Sequence, residues 1–563
     1  MNRESSSWSA VPENLSERPD EVAAAPIDGE WLGKKAQIRA KKQPLMQKII
    51  KNILRGDGKF RELMVSRNFV ETRLALLVDG KLEAFEVERA GGRDWVGAIF
   101  KGRIQNLEPG LKAAFVITGQ ERNAFLHYWD MLPAANDSFE IVSGQRSGRE
   151  ITPDDIPKMY PTGSEIVVQV TKAQMGTKGP RVTSNISLPG RYMVLTPYDG
   201  RCGISRKISD GKERDRLKGI LRSMALPSGM GAIIRTAGTG KRLKCFLRDL
   251  SLLLQEWQRI TKKMEEMKGP GLLYREPELA ERAVRDFLTD DVDLIAVDRP
   301  DLFSRILEAV DGAIPRMRSR VQLYDGKESI MEHFHAEEQI NRLFARRLTL
   351  PSGGEIVIEE TEALVAIDVN TGSHRNRKKD GGGYMLQVNL EAAEEIVRQM
   401  RLRGLGGLIV IDFIDMASSA DQKKLQETVQ RLMEVDTERF QILPISPFGT
   451  MQISRQRHSQ SLCRDTRRSC PYCDGRGTVE SASATAVRAL TALQRAFQRS
   501  APAAVEERQP VRLVVHPDVL RVLRRDGRDE LEKVEKAYGT PLTVSANEAI
   551  HRENFSIEGL AGD

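Results

Sequence analysis

Asp368 and Asp412 each stand late in an apolar run, in ALVAIDVNTG and in GGLIVIDFIDM. A carboxylate is costly to bury unless a metal or a charged partner compensates it. Two hard oxygen donors converging on one spot, with water in the remaining positions, match what magnesium accepts. At RNA such a site can activate water and offset charge on the cleaved phosphate. Asn370 lies two residues past Asp368, on the same strand face, placed to hydrogen-bond nearby. Asp415 falls on the other face by strand parity and is set aside as a ligand. The residues alone leave open that one or both aspartates cap a turn or pair with a nearby arginine.

A second constellation is Cys470-Pro-Tyr-Cys473, followed by Asp-Gly-Arg-Gly. Two thiolates on a tight turn make half of a zinc knuckle, since a structural zinc takes four ligands. A redox CxxC is the alternative, but it normally opens a helix, and Asp474-Gly475 argues for a turn. The other two ligands could be local, from Cys463 or His458, or come from a second copy of the chain. Cys202 and Cys245 read as core or surface thiols. Two further patterns carry no chemistry. AGTGKR has Arg235 where a phosphate-binding loop needs glycine and Arg242 where it needs serine or threonine. The histidines of HFH at 333–335 lie in a helical stretch without a carboxylate frame and read as surface residues.

The elements that must position these groups follow from periodicity. TEALVAIDVNTG reads as a buried strand and NLEAAEEIVRQMRLRG as an amphipathic helix. Leu390, Ala393, Val397 and Met400 share its face, Glu394 can pair with Arg398, and Gly404 stands at the C-cap. GGLIVIDFIDM reads as a second buried strand. The two apolar runs suggest a βαβ unit with strands covered on both faces, and both aspartates at the carboxyl ends where ligands collect. Upstream, ETRLALLVDG and KLEAFEVERA form a hairpin about Asp79-Gly80. Short strands punctuated by Gly and Pro across 95–130 suggest a small antiparallel barrel. CFLRDLSLLLQEWQRITKKMEEM is helical by spacing. Residues 1–60 read as a largely disordered, basic tail with a short helix at most, and 511–563 as a small α/β module.

Bulk properties set outer limits. At 563 residues the chain is too long for one core. A formal net charge of +7 makes polyanions reasonable partners. Five cysteines are too few for a disulfide framework, no apolar run reaches membrane-spanning length, and the N-terminus lacks an apolar signal core. A cytoplasmic location is the expectation.

AIDVNTG, LEAAEEIVRQMRLRGLGGLIVIDFIDM and CPYCDGRG closely resemble, in order and approximate spacing, the catalytic and zinc-link signatures of the ribonuclease E/G family. The resemblance covers about 61–482, continues more weakly to the C-terminus, and is nearer the shorter ribonuclease G type. It implies that Asp368 and Asp412 hold a catalytic magnesium and that Asn370 supports the site. It implies a zinc shared by Cys470 and Cys473 of two protomers, hence a homodimer, with two dimers making a tetramer. The 94–184 segment resembles the family's OB-fold RNA-binding domain. There Phe115 and Phe125 match substrate-contacting aromatics and Lys178 matches an RNA-contacting lysine, although Met175 stands where a basic residue is common. GAIIRTAG resembles the sensor of a substrate's 5′ end. A monophosphate needs a charge-assisted fork and small donors, which Arg235 and Thr236 supply. Val194 matches the residue packing beside the terminal nucleotide, and Arg439 a second arginine below the pocket.

The fold this implies is multidomain α/β and α+β. A tail at 1–60 precedes a ribonuclease-H-like scaffold in two parts, 61–93 and 280–343. The OB-fold barrel, 94–184, and the 5′-sensor region, 185–279, are inserted between them. A DNase-I-like catalytic subdomain, 344–466, a zinc link, 467–482, and a small C-terminal domain, 483–563, complete the chain. The function expected is magnesium-dependent endoribonucleolytic cleavage of single-stranded, A/U-rich RNA, leaving a 5′-phosphate on the downstream product. The substrates would be ribosomal RNA precursors and messenger RNA under decay. The rival readings are a non-catalytic RNA-binding or ribosome-associated protein of the same fold, and a DNA nuclease.

Overall fold

The computed structural model describes residues 24–26, 28–41, 59–89, 95–132, 139–143, 152–174, 179–208, 210–288, 291–372, 381–416, 418–436, 438–446, 448–456, 461–499, 510–539 and 541–559. Lys178, Met175 and His458 lie outside the described residues. The chain divides into two compact units, 1–463 and 464–563.

The first unit holds four sheets. In the first, Arg61–Arg67, Glu71–Val78 and Lys81–Arg89 pair with Leu294–Val297 and Val321–Leu323. The chain therefore leaves this sheet and returns to it some two hundred residues later. Its hairpin turns at Asp79 (φ 50°) and Gly80 (φ 81°), the left-handed pair expected of an Asp-Gly turn. Part of the segment expected to be a disordered tail is ordered. Gly29–Lys41 is a helix that buries Leu32 and Ala36. Arg39 on this helix forks onto Glu62, whose side chain is fully buried, at 2.6 and 2.7 Å. A helix this short gains its stability from such docking rather than from its composition.

The second sheet is a barrel. Ile99–Glu108, Ala113–Ile117, Ala124–His127, Arg181–Thr183 and Glu165–Lys172 pair in that order, and the first and last pair with each other to close it. Phe100, Ile104, Val116, Leu126, Val168 and Val182 fill it, one from every second position. Two pairings cross the boundaries, 94–184 and 185–279, that the resemblance implied. Phe139–Ser143 leaves the barrel stretch to pair with Cys202–Ser205, and Gly271–Tyr274 joins the barrel strand Ile99–Glu108. The third sheet (Leu188–Pro189, Met193–Thr196, Gly231–Ile234, Cys202–Ser205, Phe139–Ser143) packs on the helix Leu243–Glu266 through Phe246, Leu250 and Trp257.

The fourth sheet has six strands in the order Arg347–Thr349, Glu355–Glu360, Leu364–Asn370, Gly407–Asp412, Thr450–Arg455, Phe440–Ile442. Leu364–Asn370 and Gly407–Asp412 are parallel neighbours joined through the helix Gly381–Leu402, as a βαβ unit requires. The other pairings are antiparallel. That mixture overturns the expectation of strands covered on both faces. Burial alternates along Leu364–Asn370, with Val365, Ile367 and Val369 buried and Asp368 and Asn370 exposed. The helices Gly381–Leu402 and Ser419–Met433 cover one face only. The helix partner of Arg398 is also corrected: Glu395, not Glu394, accepts from it at 3.0 Å. Glu395 lies on the flank where Arg342, Arg398 and Gln399 converge, whereas Glu394 points to solvent.

In the second unit Val511–Val515 lies between Leu542–Ala546 and Phe555–Glu558, packed on Ala482–Arg499 and Pro517–Arg525. Among the described residues no helix is long and apolar enough to cross a membrane.

Candidate active site

Asp368 and Asp412 are direct register partners on their parallel strands, at the carboxyl end of both. Alternation sends both side chains to the open face of the sheet, opposite the two helices. The open face relieves the desolvation that made buried carboxylates look costly. Asn370 Nδ2 donates to Asp368 Oδ2 at 2.7 Å, fixing one carboxylate oxygen and leaving the other available. Among the described residues neither aspartate forms an ion pair with lysine or arginine. Asp412 is held above the usual carboxylate range, first by partial desolvation, then by the charges of Asp368 and Asp415. The strand ends at Asp412, so alternation does not extend to Asp415, which is near enough for its charge to be felt.

This donor set fits magnesium. Two adjacent carboxylates face solvent without an ion pair among the described residues, and that ion commonly keeps several waters beside one or two protein carboxylates. No group of three or more His, Cys, Asp or Glu that could cage a metal gathers among the described residues. Water and substrate oxygens would have to complete the shell.

Two supports escaped sequence reasoning. Asn389, fully buried on the covering helix, donates from Nδ2 to Ile414 O at 2.8 Å and accepts from Ile414 N–H at 3.0 Å. Both hydrogen bonds hold the loop that follows Asp412. The legible signal was an asparagine on an apolar helix face. The second is the bond between Ser446 and Thr450. Thr450 is the register partner of Asp412, and Ser446 N–H donates to Thr450 O at 2.8 Å.

In the third sheet, Val194 is half-buried and pairs with Ile233, and Arg235 ends the strand that carries Ile233. Arg235 Nη1 donates to Gly190 O at 2.5 Å, and both terminal nitrogens reach Asp286 Oδ1 at 3.3 Å. Thr236 follows, exposed, in a 3-10 turn. Asp249 builds the corner that Arg235 touches: its carboxylate accepts from the N–H groups of Arg191, Tyr192 and Met193 at 3.1, 2.8 and 3.1 Å. A Cβ on Gly190 would stand 2.7 Å from Asp249 Oδ2, so only glycine fits there. Burial would raise Asp286, but Arg285 and then Arg235 hold it below the usual range. The ion pair was the plain alternative for Arg235, and it is present. Arg439 is exposed before Phe440–Ile442, and no hydrogen bond or ion pair joins it to Arg235 among the described residues.

On the barrel, Phe115 and Phe125 are half-buried register partners, 5.8 Å apart and edge to face, with His127 6.5 Å from Phe125. They make one continuous aromatic strip on neighbouring strands. Arg181, the partner of Phe125 on its other side, is tied to Asp130 at 2.8 Å.

Cys470 and Cys473 lie in a turn rather than at the head of a helix. Gly475 N–H donates to Cys470 O at 3.3 Å, Arg476 N–H to Cys473 O at 2.8 Å, and Gly477 N–H to Cys473 Sγ at 3.3 Å. Asp474 (φ 49°) and Gly475 (φ 79°) make the bend. Cys463 Sγ is 3.6 Å from Leu343 O, within the first unit.

A model of the Ribonuclease E/G family matches residues 187–458, and one described as RNase E/G, thioredoxin-like domain, matches 469–560. The chain is 33% identical over 502 residues to ribonuclease G of Escherichia coli strain K12, covering 88% of this chain and 99% of that protein. It is 36% identical over 488 residues to ribonuclease E of Haemophilus influenzae, covering 86% of this chain and 50% of that one. Ribonuclease E of Escherichia coli strain K12 is 36% identical over 490 residues, 86% of this chain and 45% of that protein. The chain thus spans about half the length of the ribonuclease E relatives.

Proposed function

The chain belongs to the ribonuclease E/G family, and on that premise we propose that it is a magnesium-dependent endoribonuclease acting on single-stranded, A/U-rich RNA. The observation that carries this reading is the register pairing of Asp368 with Asp412 on one open sheet face, with no ion pair to lysine or arginine among the described residues. When bound there, magnesium supplies positive charge against that developing on the phosphate, and a means of activating water. Asp368 and Asp412 hold it. Asn370 keeps Asp368 from rotating, and Asn389 fixes the loop behind Asp412. In the hydrolysis, water oxygen bonds to phosphorus and the bond to the upstream 3′ oxygen breaks. The 3′ oxygen takes a proton, and the 5′-phosphate stays on the downstream product.

The remaining features take supporting roles. Phe115 and Phe125 offer ring faces and edges to unstacked bases, with Lys178 as a backbone contact. Arg235 and Thr236, with Val194 and Arg439, favour a 5′-monophosphorylated end. Cys470 and Cys473 give two thiolates of a structural zinc completed by a second protomer, making a homodimer or a pair of dimers. Within this reading the scaffold is ribonuclease-H-like, the catalytic sheet DNase-I-like, and the enzyme works in the cytoplasm on ribosomal RNA precursors and messenger RNA.

The test is a 5′-monophosphorylated A/U-rich RNA with an internal fluorophore, given to wild type and Asp368→Asn with magnesium or EDTA. Cleavage by wild type alone, abolished by EDTA, is expected. Binding without cleavage in every lane would favour a non-catalytic RNA-binding protein, and cleavage that survives both changes would place the active site elsewhere. Preference for a matched DNA strand would make the protein a DNA nuclease. For the zinc, the double variant Cys470→Ser/Cys473→Ser should lose both bound zinc and oligomer size.

A further inference from the structure

Phe448 is 87% exposed, among the most water-exposed large apolar side chains of the molecule. Its place is not a loose loop. Ser446 Oγ and Thr450 Oγ1 are hydrogen-bonded at 2.8 Å, and Ser446 Oγ accepts from the N–H groups of Phe448 and Thr450 at 3.3 Å each. Gly449 N–H donates to Ser446 O at 3.0 Å. The turn is anchored on the catalytic side. Thr450 pairs with Asp412, and a Cβ on Gly449 would stand 3.2 Å from Asp415 Oδ1. Gly449 has φ +81°, so the glycine permits both the bend and the close approach.

Burying a phenylalanine side chain is favourable, so a well-bonded turn that holds one in water leaves that free energy available to a ligand. The turn that carries the ring is itself polar: Ser446 and Thr450 are its hydrogen-bonding side chains, Thr450 pairs with Asp412, and Gly449 stands close to Asp415. A protein partner would need contiguous apolar area. A flat aromatic face amid polar and charged groups suits a nucleobase, which stacks on one side and stays polar at its edges.

We propose that Phe448 is a base-stacking residue: it receives an unstacked base flanking the scissile phosphate and sets the path of single-stranded RNA across Asp368 and Asp412. This rests on the active-site reading above. Stacking asks for single-stranded RNA without demanding one sequence, so Phe448 contributes to strand selection more than to base choice.

Single-stranded RNAs carrying 2-aminopurine at successive positions around the cut, bound in EDTA, report stacking by quenching. Wild type should quench one flanking position. Phe448→Ala and Phe448→Leu should lose that quenching and roughly tenfold in kcat/KM with magnesium, while Phe448→Trp keeps both. Leucine separates an aromatic role from simple apolar contact. Phe69→Ala, at an exposed phenylalanine (94%) in the bend between Arg61–Arg67 and Glu71–Val78, should change nothing. The proposal is overturned if Phe448→Leu behaves as wild type, or if Phe448→Ala changes kcat/KM by less than about twofold. A changed oligomer size in light scattering, with cleavage intact, would overturn it in favour of a protein contact. Asp368→Asn separates the two ideas. If that variant is inactive and Phe448→Ala is normal, only the stacking role fails; if Asp368→Asn cleaves normally, the active-site reading itself fails.

Discussion

The carboxylate face of the six-stranded sheet and the arginine corner of the third sheet treat charge in opposite ways. Asp368 and Asp412 stand side by side and, among the described residues, form no ion pair with lysine or arginine. Arg235 already has Asp286 and a backbone carbonyl. The first site is electrostatically incomplete and stabilises whatever positive charge arrives. The second is complete, so a phosphate there must share or displace Asp286. A like-charged pair is poor design for stability and good design for a metal; a satisfied ion pair is the reverse. One region spends folding stability on readiness, and the other keeps it.

Neutralising one partner in each region gives the largest contrast. Asp412→Asn should lower cleavage by at least about a hundredfold while leaving thermal stability unchanged or raised, because a repulsion is removed. Parallel losses of activity and melting temperature would make Asp412 a structural residue instead. Asp286→Asn should do the opposite and cost about 1–3 kcal/mol of stability in chemical denaturation, since Arg235 loses its carboxylate and Arg285 keeps only Glu276. Cleavage of 5′-hydroxyl RNA by that variant should persist below its melting temperature. Arg235→Gln sharpens the comparison further, with roughly tenfold slower cleavage of 5′-monophosphorylated RNA and no change on 5′-hydroxyl RNA. Equal losses on both substrates would remove the sensor role.

The smallest expected effect is in the sign of the pH dependence. Asp412 has a raised folded-state value, so in metal-free protein its penalty is absent below the ordinary aspartate range and appears as pH rises through the raised value. The stability advantage of Asp412→Asn should therefore grow with pH and then level off. Asp286 has a lowered value, so its contribution is present above the ordinary range and lost as pH falls through the lowered one. Melting curves from about pH 3 to 7 should show these opposite trends. Trends of the same sign would mean that the two carboxylates do not differ as their surroundings indicate.

The sequence by itself determined the strand–helix–strand unit, the Asp-Gly hairpin, the glycine that ends the Gly381–Leu402 helix and the turn about Cys470 and Cys473, because each is set by contacts within a few residues. Gly404 at φ 64° and Asp474 at φ 49° are local solutions to local demands. The positions of Asp368, Asn370 and Asp412 at strand ends were legible for the same reason. Tertiary structure decided what those strands face. The carboxylates are open to water because helices cover a single face, and strand periodicity does not reveal which faces are covered. It alone brought Thr450 beside Asp412, Asn389 onto Ile414 and Asp286 onto Arg235, pairs separated by tens of residues. It also moved Phe139–Ser143 out of the barrel and ordered Gly29–Lys41 against Glu62. Such partners are chosen by burial and charge after the chain has closed on itself, and no local pattern records that choice.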